Sequence, residues 1–441
     1  MKYDLGSLPP NWKLVRISDI TKEVAGGAAI KTGEFLQEGV GVIAKGDVTA
    51  NKFIDVANRT QRVSSETAKK YSKGLITDKF VVVTLRDLVP SGPTVGMAAR
   101  FCSPKTFLLA QGAYGFLIDE TILLPDMFVE YTRHSTFRGQ IRAITVGSTQ
   151  VHVRSTEYGE LEIPAAPKDE QAKIAEILST VDRAIEQTQG LIAKQQRIKT
   201  GLMQDLFTRG IDSSGNLRSE QTHKFKDSPL GRIPEEWTTS DLGDVGRWWS
   251  GGTPSKSNAE FWKGTIPWVS PKDMKTFDLY STTDSISEFA AQYGSRLMPE
   301  GTIFIVIRGM ILAHTFPVCF AKKPMAFNQD VKAISTGDKN SSRFLAYWLK
   351  ANDHVFLKTT TTSTHGTKRF DMDDLYAVQV GLPCKKEQEL IANKLDEFSN
   401  QQELLTSQLG KLRRLKAGLM QDLLTGNKRV TNLLKKEPVA I

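Results

Sequence analysis

The sequence contains one block twice, and this repeat limits the possible folds more than any other feature. Residues 199–206 (KTGLMQDL) and 416–423 (KAGLMQDL) differ at a single position. The pair Glu170-Gln171 recurs as Glu387-Gln388 at the same offset of 217 residues. Self-similarity at a fixed period indicates a structural unit that is built more than once. We therefore expect the chain to fold as two similar halves.

Outside the block, the two halves share a framework but differ in many residues. Three segments keep the correspondence: Trp12 with Trp237, residues 79–86 with 301–308, and Ala110-Gln111 with Asn328-Gln329. Short β-branched runs alternate there with Gly and Pro, which is typical of strands and loops. Helices are predicted at 127–133 and 344–350. Each half therefore begins with a mixed domain.

A long amphipathic helix is predicted after each mixed domain, because apolar residues recur there at intervals of three and four. The residues expected to pair the helices or to contact a partner are Ile174, Leu178, Val181, Leu191, Ile198, Gly201, Leu202, Ile391, Leu395, Phe398, Leu405, Leu412, Gly418 and Leu419. Each helix is about 38 residues long, or roughly 57 Å at 1.5 Å per residue. The other copy's helix is the nearest partner, and a pseudo-two-fold axis requires the pair to run antiparallel.

Each helix also keeps a glycine, Gly201 or Gly418, that costs about 1 kcal/mol relative to alanine. Close approach of a second helix or a partner subunit explains these glycines, and a kink explains them equally well. A plain coiled coil with no further role is the simplest alternative.

The predicted fold class is α+β. Two similar mixed α/β domains are separated by two long antiparallel helices that form a coiled coil, with a pseudo-two-fold internal repeat. The expected boundaries are 1–162 for the first mixed domain, 163–209 for the central long helix, 210–229 for a linker, 230–380 for the second mixed domain, 381–425 for the C-terminal long helix and 426–441 for a tail.

The net charge of +9 and the pI of about 9.2 favour a polyanionic partner such as nucleic acid, although a basic but inert surface is the alternative. Cys102, Cys319 and Cys384 form no CxxC pair, so neither a zinc site nor a disulfide framework is expected. Each is expected to be a small core residue in a reducing cytoplasm. No apolar secretory segment is visible, and the strongest apolar runs are too short to span a bilayer.

Catalytic motifs are missing from the sequence. The Asn/Asp-Pro-Pro-aromatic loop of amino-methyltransferases does not occur. Ile30 stands where a phosphate-binding GxxxxGK[ST] loop requires glycine, and the six histidines lack metal-ligand spacing. We therefore predict neither a catalytic residue nor a metal ligand in this chain.

DNA-binding residues are expected in the mixed domains, where basic side chains alternate with polar and small ones. Arg and Lys bind phosphates, Arg also pairs with guanine, and hydroxyl, amide and imidazole groups suit base edges. The predicted DNA-binding residues are Lys45, Arg86, Arg100, Lys105, Arg138, Arg142, Gln150, His152, Arg154, Lys272, Arg308, Lys322, Lys323, Lys358, His365, Lys368 and Arg369.

Together these features carry a family resemblance. A Pro-x-x-Pro-x-x-Glu-Gln sequence (Pro164, Pro167, Glu170 and Gln171) leads into a long helix with GLMQDL near its end, and the order then recurs with Cys384 in place of the second proline. Over essentially its whole length the chain resembles the specificity subunit of type I restriction–modification enzymes.

The resemblance implies that each mixed domain is a target-recognition domain for one half of a bipartite double-stranded DNA site, and that the helices set the gap between the halves. It further implies that two adenine-methylating modification subunits dock on the helices and that restriction subunits complete the nuclease. S-adenosylmethionine, ATP and Mg would then serve those partners, and this chain would hold no cofactor. Two other hypotheses are a coiled-coil scaffold joining two protein-binding domains and a self-contained nuclease or methyltransferase, against which the missing motifs argue.

Overall fold

The computed structural model describes residues 8–57, 61–362 and 366–434. The chain forms two compact units, one combining Met1–Gln189 with Gln408–Ile441 and the other consisting of Gly190–Ser407. We call residues 8–165 the first head and residues 225–382 the second head. Among the described residues, no helix combines the length and the apolar character needed to cross a membrane.

Two long helices are shared between the units. The central helix is Lys168–Thr208 (41 residues) and the C-terminal helix is Lys385–Leu424 (40 residues). Since the unit boundary cuts both, each unit contains a head, the first part of the helix that follows this head and the last part of the other helix.

The helix segments within each unit run antiparallel. In the second unit, Gln196 bonds Gln402, and Lys199 Nζ lies 2.6 Å from Ser399 Oγ, so residue numbers rise along one helix as they fall along the other. In the first unit, Lys416 Nζ lies 2.6 Å from Asp182 Oδ1, and Arg429, which follows the C-terminal helix, pairs with Glu170, so the numbering is again reversed. The predicted fold class, with its antiparallel helix pair, is confirmed.

The first head contains two main sheets and two short strand pairs. One sheet has the order Thr21–Gly26, Ala113–Ile118, Val81–Thr84 and Ala98–Ala99, and the other has the order Phe35–Leu36, Arg62–Val63, Val40–Ile43, Phe107–Leu109 and Leu75–Ile76. The short pairs are Lys13–Arg16 with Glu162–Ala165 and Arg86–Asp87 with Val151–His152. Its α-helices are Ser65–Lys70, Pro125–Tyr131, Ser135–Ile144 and Ser155–Gly159.

The second head repeats this plan. One sheet has the order Arg247–Ser250, Val331–Ser335, Ile303–Val306, Val318–Ala321 and Asp278–Leu279, and the other has the order Asp284–Ile286, Ile266–Val269, Met325–Phe327 and Leu297–Met298. The short pairs are Phe225–Ser228 with Gly231–Pro234, Thr238–Asp241 with Gln379–Leu382, and Thr360–Thr362 with Lys368–Phe370. Its α-helices are Glu288–Tyr293, Ser342–Ala351, Asp353–Lys358 and Met372–Tyr376.

The central strand of each head explains why the repeated pattern folds this way. Val81–Thr84 and Ile303–Val306 are buried along their whole length and pair on both sides. Continuous apolar runs suit strands that are covered on both faces. The helices predicted at 127–133 and 344–350 occur as Pro125–Tyr131 and Ser342–Ala351.

The apolar stripes of the long helices pack mainly into the heads. Ile174 and Leu178 join the first head's core, together with Met420, Leu423 and Leu424 from the C-terminal helix. The second head's core takes Ile391 and Leu395, with Leu206 and Phe207 from the central helix, while Leu202 packs at its edge. Val181, Phe398, Leu405, Leu412 and Leu419 are partly buried. Leu191 and Ile198, predicted to pair the helices or to contact a partner, are about half exposed (51% and 45%).

The repeated Glu-Gln pair joins each long helix to the rest of its unit. In the second unit, Glu387 accepts hydrogen bonds from Arg218, from the Ile211 backbone N–H (3.0 Å) and from Trp237 Nε1 (3.4 Å). Gln388 bonds the backbone of Ser341 and the Pro383 carbonyl. The helix start is therefore tied to the head and to the segment that follows the central helix.

The first unit contains the equivalent joint. Arg429, which follows the C-terminal helix, donates from Nε to Glu170 (2.8 Å), and its guanidinium lies 5.9 Å from the centre of the Trp12 ring. Gln171 donates to the Ile122 and Ala166 carbonyls. Each helix end is thus held by the head of the other half.

A buried ionic cluster completes the first unit. Glu130 is wholly buried and lies beside Lys52 and Lys416, and both lysines also contact Asp182. Burial alone would raise the pKa of Asp182, but its hydrogen bonds from the two lysines hold that pKa below the ordinary value. In the second unit, Tyr347 and Ser399 occupy the positions of Glu130 and Asp182, and Tyr347 donates to Asp396.

Two segments differ from their predicted character. The segment expected to be a linker (210–229) contains buried Ile211 and Arg218 and a short strand, so it is part of the second unit's core and joint. The expected tail (426–441) includes Val430, which is buried in the first head's core. Cys319 is buried as expected, but Cys102 and Cys384 are exposed. Local composition did not reveal the burial of Ile211, Arg218 and Val430, because their contacts join residues that are distant in sequence.

Candidate nucleic-acid interface

In the first head, several predicted DNA-binding residues converge at the end of the central strand. Arg86 follows that strand and pairs with His152 across a short two-stranded ladder. The turn at Gln111 and Gly112 lies next to Arg86 and Lys45. A Cβ added to Gly112 would be 3.3 Å from the Lys45 side chain and 3.4 Å from that of Arg86. Lys45, Arg86, His152 and the exposed Gln111 therefore occupy one surface.

A groove of about 460 Å³ lies on the same head. Its lining includes residues 90–93 on one side and Arg138, Arg142 and Gly147 on the other. The exposed Gln150 lies just beyond it, next to Val151 of the lining. The predicted residues Arg142 and Gln150 thus lie near the strand pair that holds Arg86, because Val151 of the groove lining pairs with Asp87.

Arg138 serves the fold at this place. Its guanidinium donates to the carbonyls of Gly92 (3.4 Å), Pro93 (3.0 Å) and Val95, and thereby fixes the loop that lines the groove. Burial lowers the pKa of Arg138, but the guanidinium remains charged at neutral pH. Its donors are directed to the backbone of its own head.

The second head has the corresponding surface. Arg308 follows the central strand, forms a bridge with Arg369, and lies 2.7 Å from Asp330 Oδ1. The Gly309 N–H donates to the Lys368 carbonyl at 2.9 Å. Gln329 precedes Asp330 and accepts a hydrogen bond from Thr253. Arg308, Lys368, Arg369 and Gln329 therefore lie together, as Arg86, His152 and Gln111 do in the first head.

Further predicted residues occupy equivalent places in the two heads. Arg142 and Lys358 each lie in the last turn of a helix that precedes the hairpin, and both are exposed. Lys105 lies between Ala98–Ala99 and Phe107–Leu109, and Lys322 and Lys323 lie between the equivalent strands Val318–Ala321 and Met325–Phe327. The two heads thus present cations at matching positions with different side chains.

Other predicted residues are engaged within their heads. Arg100 pairs with Asp126, Arg154 with Glu157, and Lys272 with Asp284. Lys322 lies over the Phe320 ring at 5.8 Å. Arg154 nevertheless lies beside the Arg86 surface, because the Val153 N–H donates to the Leu85 carbonyl at 3.0 Å. His365 falls outside the described residues.

A second repeated surface lies on the long helices. Gly201 and Gly418 are exposed, and a Cβ added to either would meet no atom of the described residues within 4 Å, so none of the helices described above approaches them closely. Three residues before each glycine stands an exposed apolar residue, Ile198 (45%) or Leu415 (52%). Residues three apart share a helix face. Both units therefore present the same apolar-and-glycine face, which sequence reasoning had assigned to close packing, a kink or a partner.

The site has the chemistry of a nucleic-acid reader. Arginine and lysine on two matching surfaces can bind phosphates, and the adjacent amide and imidazole groups can bond base edges. Among the described residues, no three His, Cys, Asp or Glu side chains are grouped so as to hold a metal ion. These features define a class of protein with two DNA-contacting heads built on one framework.

Comparison with known proteins gives the family. The family model for the type I restriction modification DNA specificity domain matches residues 9–195 and 234–414, and the chain belongs to this family. It is 29% identical over 245 residues to the type I restriction enzyme EcoR124I/EcoR124II specificity subunit of Escherichia coli, a match spanning 55% of this chain and 57% of that subunit. It is 25% identical over 439 residues to the type I restriction enzyme MjaVIII specificity subunit of Methanocaldococcus jannaschii, covering 97% and 95% of the two chains.

Solved structures agree in fold. The S subunit of a type I restriction-modification system from M. genitalium superposes with a TM-score of 0.58 at 15% identity, covering 95% of this chain and 98% of that one. A chain from a structure of the type I R-M system, solved to explain its complex assembly and conformational transition, gives 0.55 at 16% identity, covering 96% and 100%. The predicted family membership and the role of specificity subunit with two target-recognition domains are thereby confirmed.

Proposed function

We propose that this chain reads an asymmetric bipartite sequence in double-stranded DNA, with one head on each half-site. The observation that carries the proposal is the matching placement of unlike residues. Arg86 and Arg308 occupy the same place in the two heads, and each pairs with a different residue, His152 in the first head and Arg369 in the second. Equal frameworks approach DNA in the same way, whereas unlike side chains select different bases. Two different half-sites follow.

Methylation and cleavage are then carried out by partner subunits. Two modification subunits would transfer a methyl group from S-adenosylmethionine to adenine, and restriction subunits would use ATP and Mg, all in the cytoplasm. This chain recognises the target sequence and serves as the scaffold for the partner subunits, and it holds no cofactor itself. The competing function is a coiled-coil scaffold joining two protein-binding domains, which predicts assembly without any DNA sequence preference.

The modification subunits dock on the repeated helix face at Ile198 with Gly201 and at Leu415 with Gly418. An exposed glycine beside an exposed apolar side chain lets a partner helix approach the backbone closely. Gly201→Leu together with Gly418→Leu should therefore abolish co-purification of the modification subunit. Gly190→Leu is the matched control, because Gly190 is also exposed in the central helix with open space around it but has no glycine counterpart in the other helix. Equal binding by all variants would rule out this docking face.

Methylated-base sequencing of DNA from cells that express this chain with its modification subunit tests the reading of DNA directly. We expect methylated adenines in a motif with two unlike halves separated by a fixed gap. Methylation without a bipartite motif would contradict the proposal and leave the scaffold function as the alternative.

The spacer role has its own test. Inserting four residues after position 189 and after position 407 lengthens both helices by about 6 Å and turns them by about 40° beyond one full turn. Since DNA turns by about 36° per base pair, we expect the gap to change by one or two base pairs while both half-sites keep their sequences. An unchanged gap would contradict a spacer role for the helices.

A further inference from the structure

Each head exposes two adjacent apolar residues directly beside its DNA-facing arginine. In the first head these are Leu88 (59% exposed) and Val89 (44%), two and three residues after Arg86. In the second head they are Met310 (64%) and Ile311 (36%), two and three residues after Arg308. Single exposed apolar residues are common on protein surfaces. A pair at the same place in two heads with otherwise different loops requires an explanation.

Both pairs are held on ordered backbone. In the first head, Asp87 accepts hydrogen bonds from the Val89 N–H (3.3 Å) and from the Thr94 hydroxyl (2.8 Å), and Arg138 binds the carbonyls of the same loop. Burial alone would raise the pKa of Asp87, but these hydrogen bonds hold it below its ordinary value, so the carboxylate is charged at neutral pH. The loop therefore keeps Leu88 and Val89 exposed in a fixed place.

The second head reaches the same result by another route. Met310–Ala313 is a 3-10 helix, and the preceding Gly309 donates its N–H to the Lys368 carbonyl. The Phe370 N–H donates to the Ile307 carbonyl at 3.0 Å, which closes the bridge between Arg308 and Arg369. Met310 and Ile311 thus project beside a cationic hairpin.

The charges around the pairs identify the ligand. Arg86, Lys45 and Arg142 lie near the first pair, and Arg308, Lys368 and Arg369 lie near the second. Two carboxylates also lie there: Asp87, which bonds Val89 and Thr94, and Asp330, which pairs with Arg308. A protein-docking surface gains little from such a concentration of cations around an apolar tip, whereas duplex DNA offers phosphates to the cations and apolar base surfaces within its grooves. Phosphates offer nothing to leucine or methionine, whereas base faces and the thymine methyl group offer apolar surface within the grooves.

We propose that Leu88 with Val89, and Met310 with Ile311, enter a DNA groove at their own half-sites and contact the bases there. This inference rests on the proposed function, and it makes the pairs specificity-determining residues in addition to the polar ones. Apolar contact with a thymine methyl group, or insertion at a base step, discriminates sequence without neutralising phosphate charge. The contribution of each pair to binding is therefore independent of salt concentration.

The salt dependence of binding separates this role from phosphate contact. Assembled complexes of this chain with its modification subunits would be titrated with a duplex carrying the site found by methylated-base sequencing and with a scrambled duplex. Leu88→Ser with Val89→Ser should weaken binding of the site about ten- to a hundred-fold, as expected for losing burial of two apolar side chains. The slope of log K against log salt should stay unchanged. Lys45→Gln should instead lower that slope by about 0.9 if Lys45 contacts a phosphate.

Half-site selectivity gives a second readout. The serine pair in the first head should relax discrimination against base changes in one half-site only, and Met310→Ser with Ile311→Ser should do so in the other half-site only. Leu36→Ser and Leu297→Ser are matched controls, since both side chains are about half exposed (48% and 47%) and lie elsewhere on the same heads. Leu88→Ala shortens the side chain but keeps it apolar, so it should give a smaller loss of discrimination in the same half-site.

Unchanged affinity and selectivity in both serine pairs would overturn the inference. An equal loss on the site and on the scrambled duplex would also overturn it, as would a loss of modification-subunit binding with normal DNA affinity in the complexes that form. If the complex containing the chain without substitutions fails to prefer the site over scrambled DNA, the proposed function fails before these variants are compared.

Discussion

Replacing Glu387 by glutamine should destabilise the second unit far more than the equivalent change at Glu170 destabilises the first. The side chains of Arg218 and Glu387 are 7% and 8% exposed, so Glu387→Gln leaves a buried guanidinium without its main counter-charge. Removing one partner of a buried pair costs about 3–5 kcal/mol. Glu236 remains 3.1 Å from Arg218 but is largely exposed, so solvent screens its charge. We expect a loss of about 3 kcal/mol in the free energy of unfolding.

The arginine of the equivalent pair is more accessible to water, although Glu170 itself is only 2% exposed. Arg429 is 25% exposed, and its guanidinium also donates to the Pro10 carbonyl at 3.2 Å. After Glu170→Gln the guanidinium can be hydrated, and we expect a loss of about 1–2 kcal/mol, between the values for buried and exposed pairs.

Because the chain has two units, the loss must be measured in each unit separately. Hydrogen exchange of amides in the second head and in the first head, read by mass spectrometry, reports the two free energies in one experiment. Glu397→Gln, an exposed change on the same helix, is the control. The double variant Arg218→Met with Glu387→Leu should recover much of the loss, since it removes both charges. A cost below about 0.5 kcal/mol for Glu387→Gln, or an equal cost at Glu170, would refute this account of the joint.

Three further changes test other parts of the fold. Burial lowers the pKa of His134, whose Nδ1 accepts a hydrogen bond from the Thr136 N–H. Because His134 of the unfolded chain then binds a proton at a higher pH than His134 of the folded chain, the stability of the first unit should fall as pH drops through about 6.5. Denaturant titrations of His134→Gln should lack this pH dependence. Gly426 has a φ of +76° and packs against Pro9, whereas Gly215 has a φ of +81° in open space. Gly426→Ala should therefore lower the unfolding midpoint of the first unit by more than Gly215→Ala lowers that of the second unit, to which Gly215 belongs. Ending the chain at residue 407 removes Met420, Leu423, Leu424 and Val430 from the first core at about 1.5–3 kcal/mol each, so hydrogen exchange should show the first head unfolded and the second protected.

The features that the sequence predicted well depend on local periodicity. Intervals of three and four along residues 168–208 and 385–424 predicted both long helices, and the repeated block predicted that the halves share a plan. The candidate site was predicted in part. Arg86 and Arg308 each follow a strand whose apolar run is visible in the sequence, and each pairs with a predicted residue on a separate segment, His152 or Arg369.

What sequence reasoning missed depends on contacts between distant residues. The charge of Arg138 indicates a DNA-binding residue, whereas its guanidinium bonds backbone carbonyls more than 40 positions away, a structural role that composition cannot reveal. Arg218 was read as part of a linker, although it is buried against Glu387 across 169 positions. The sequence does contain a signal for this contact. After each long helix an arginine stands three residues beyond a glycine (Gly215 and Arg218, Gly426 and Arg429), and a Glu-Gln pair stands near the start of each helix.

The same contacts give a physical reason for the repeated block. Met203, Leu206 and Phe207 complete the core of the second head, whereas Met420, Leu423 and Leu424 complete that of the first. Each block therefore packs against the half of the chain to which it does not belong, and the surface that it meets has the same framework both times. Similar surfaces require similar side chains, so the block stays nearly identical while the outer residues of the heads are free to differ. A chain that must present two different heads can vary them only where neither head touches the helices, and the positions around Arg86 and Arg308 meet that condition.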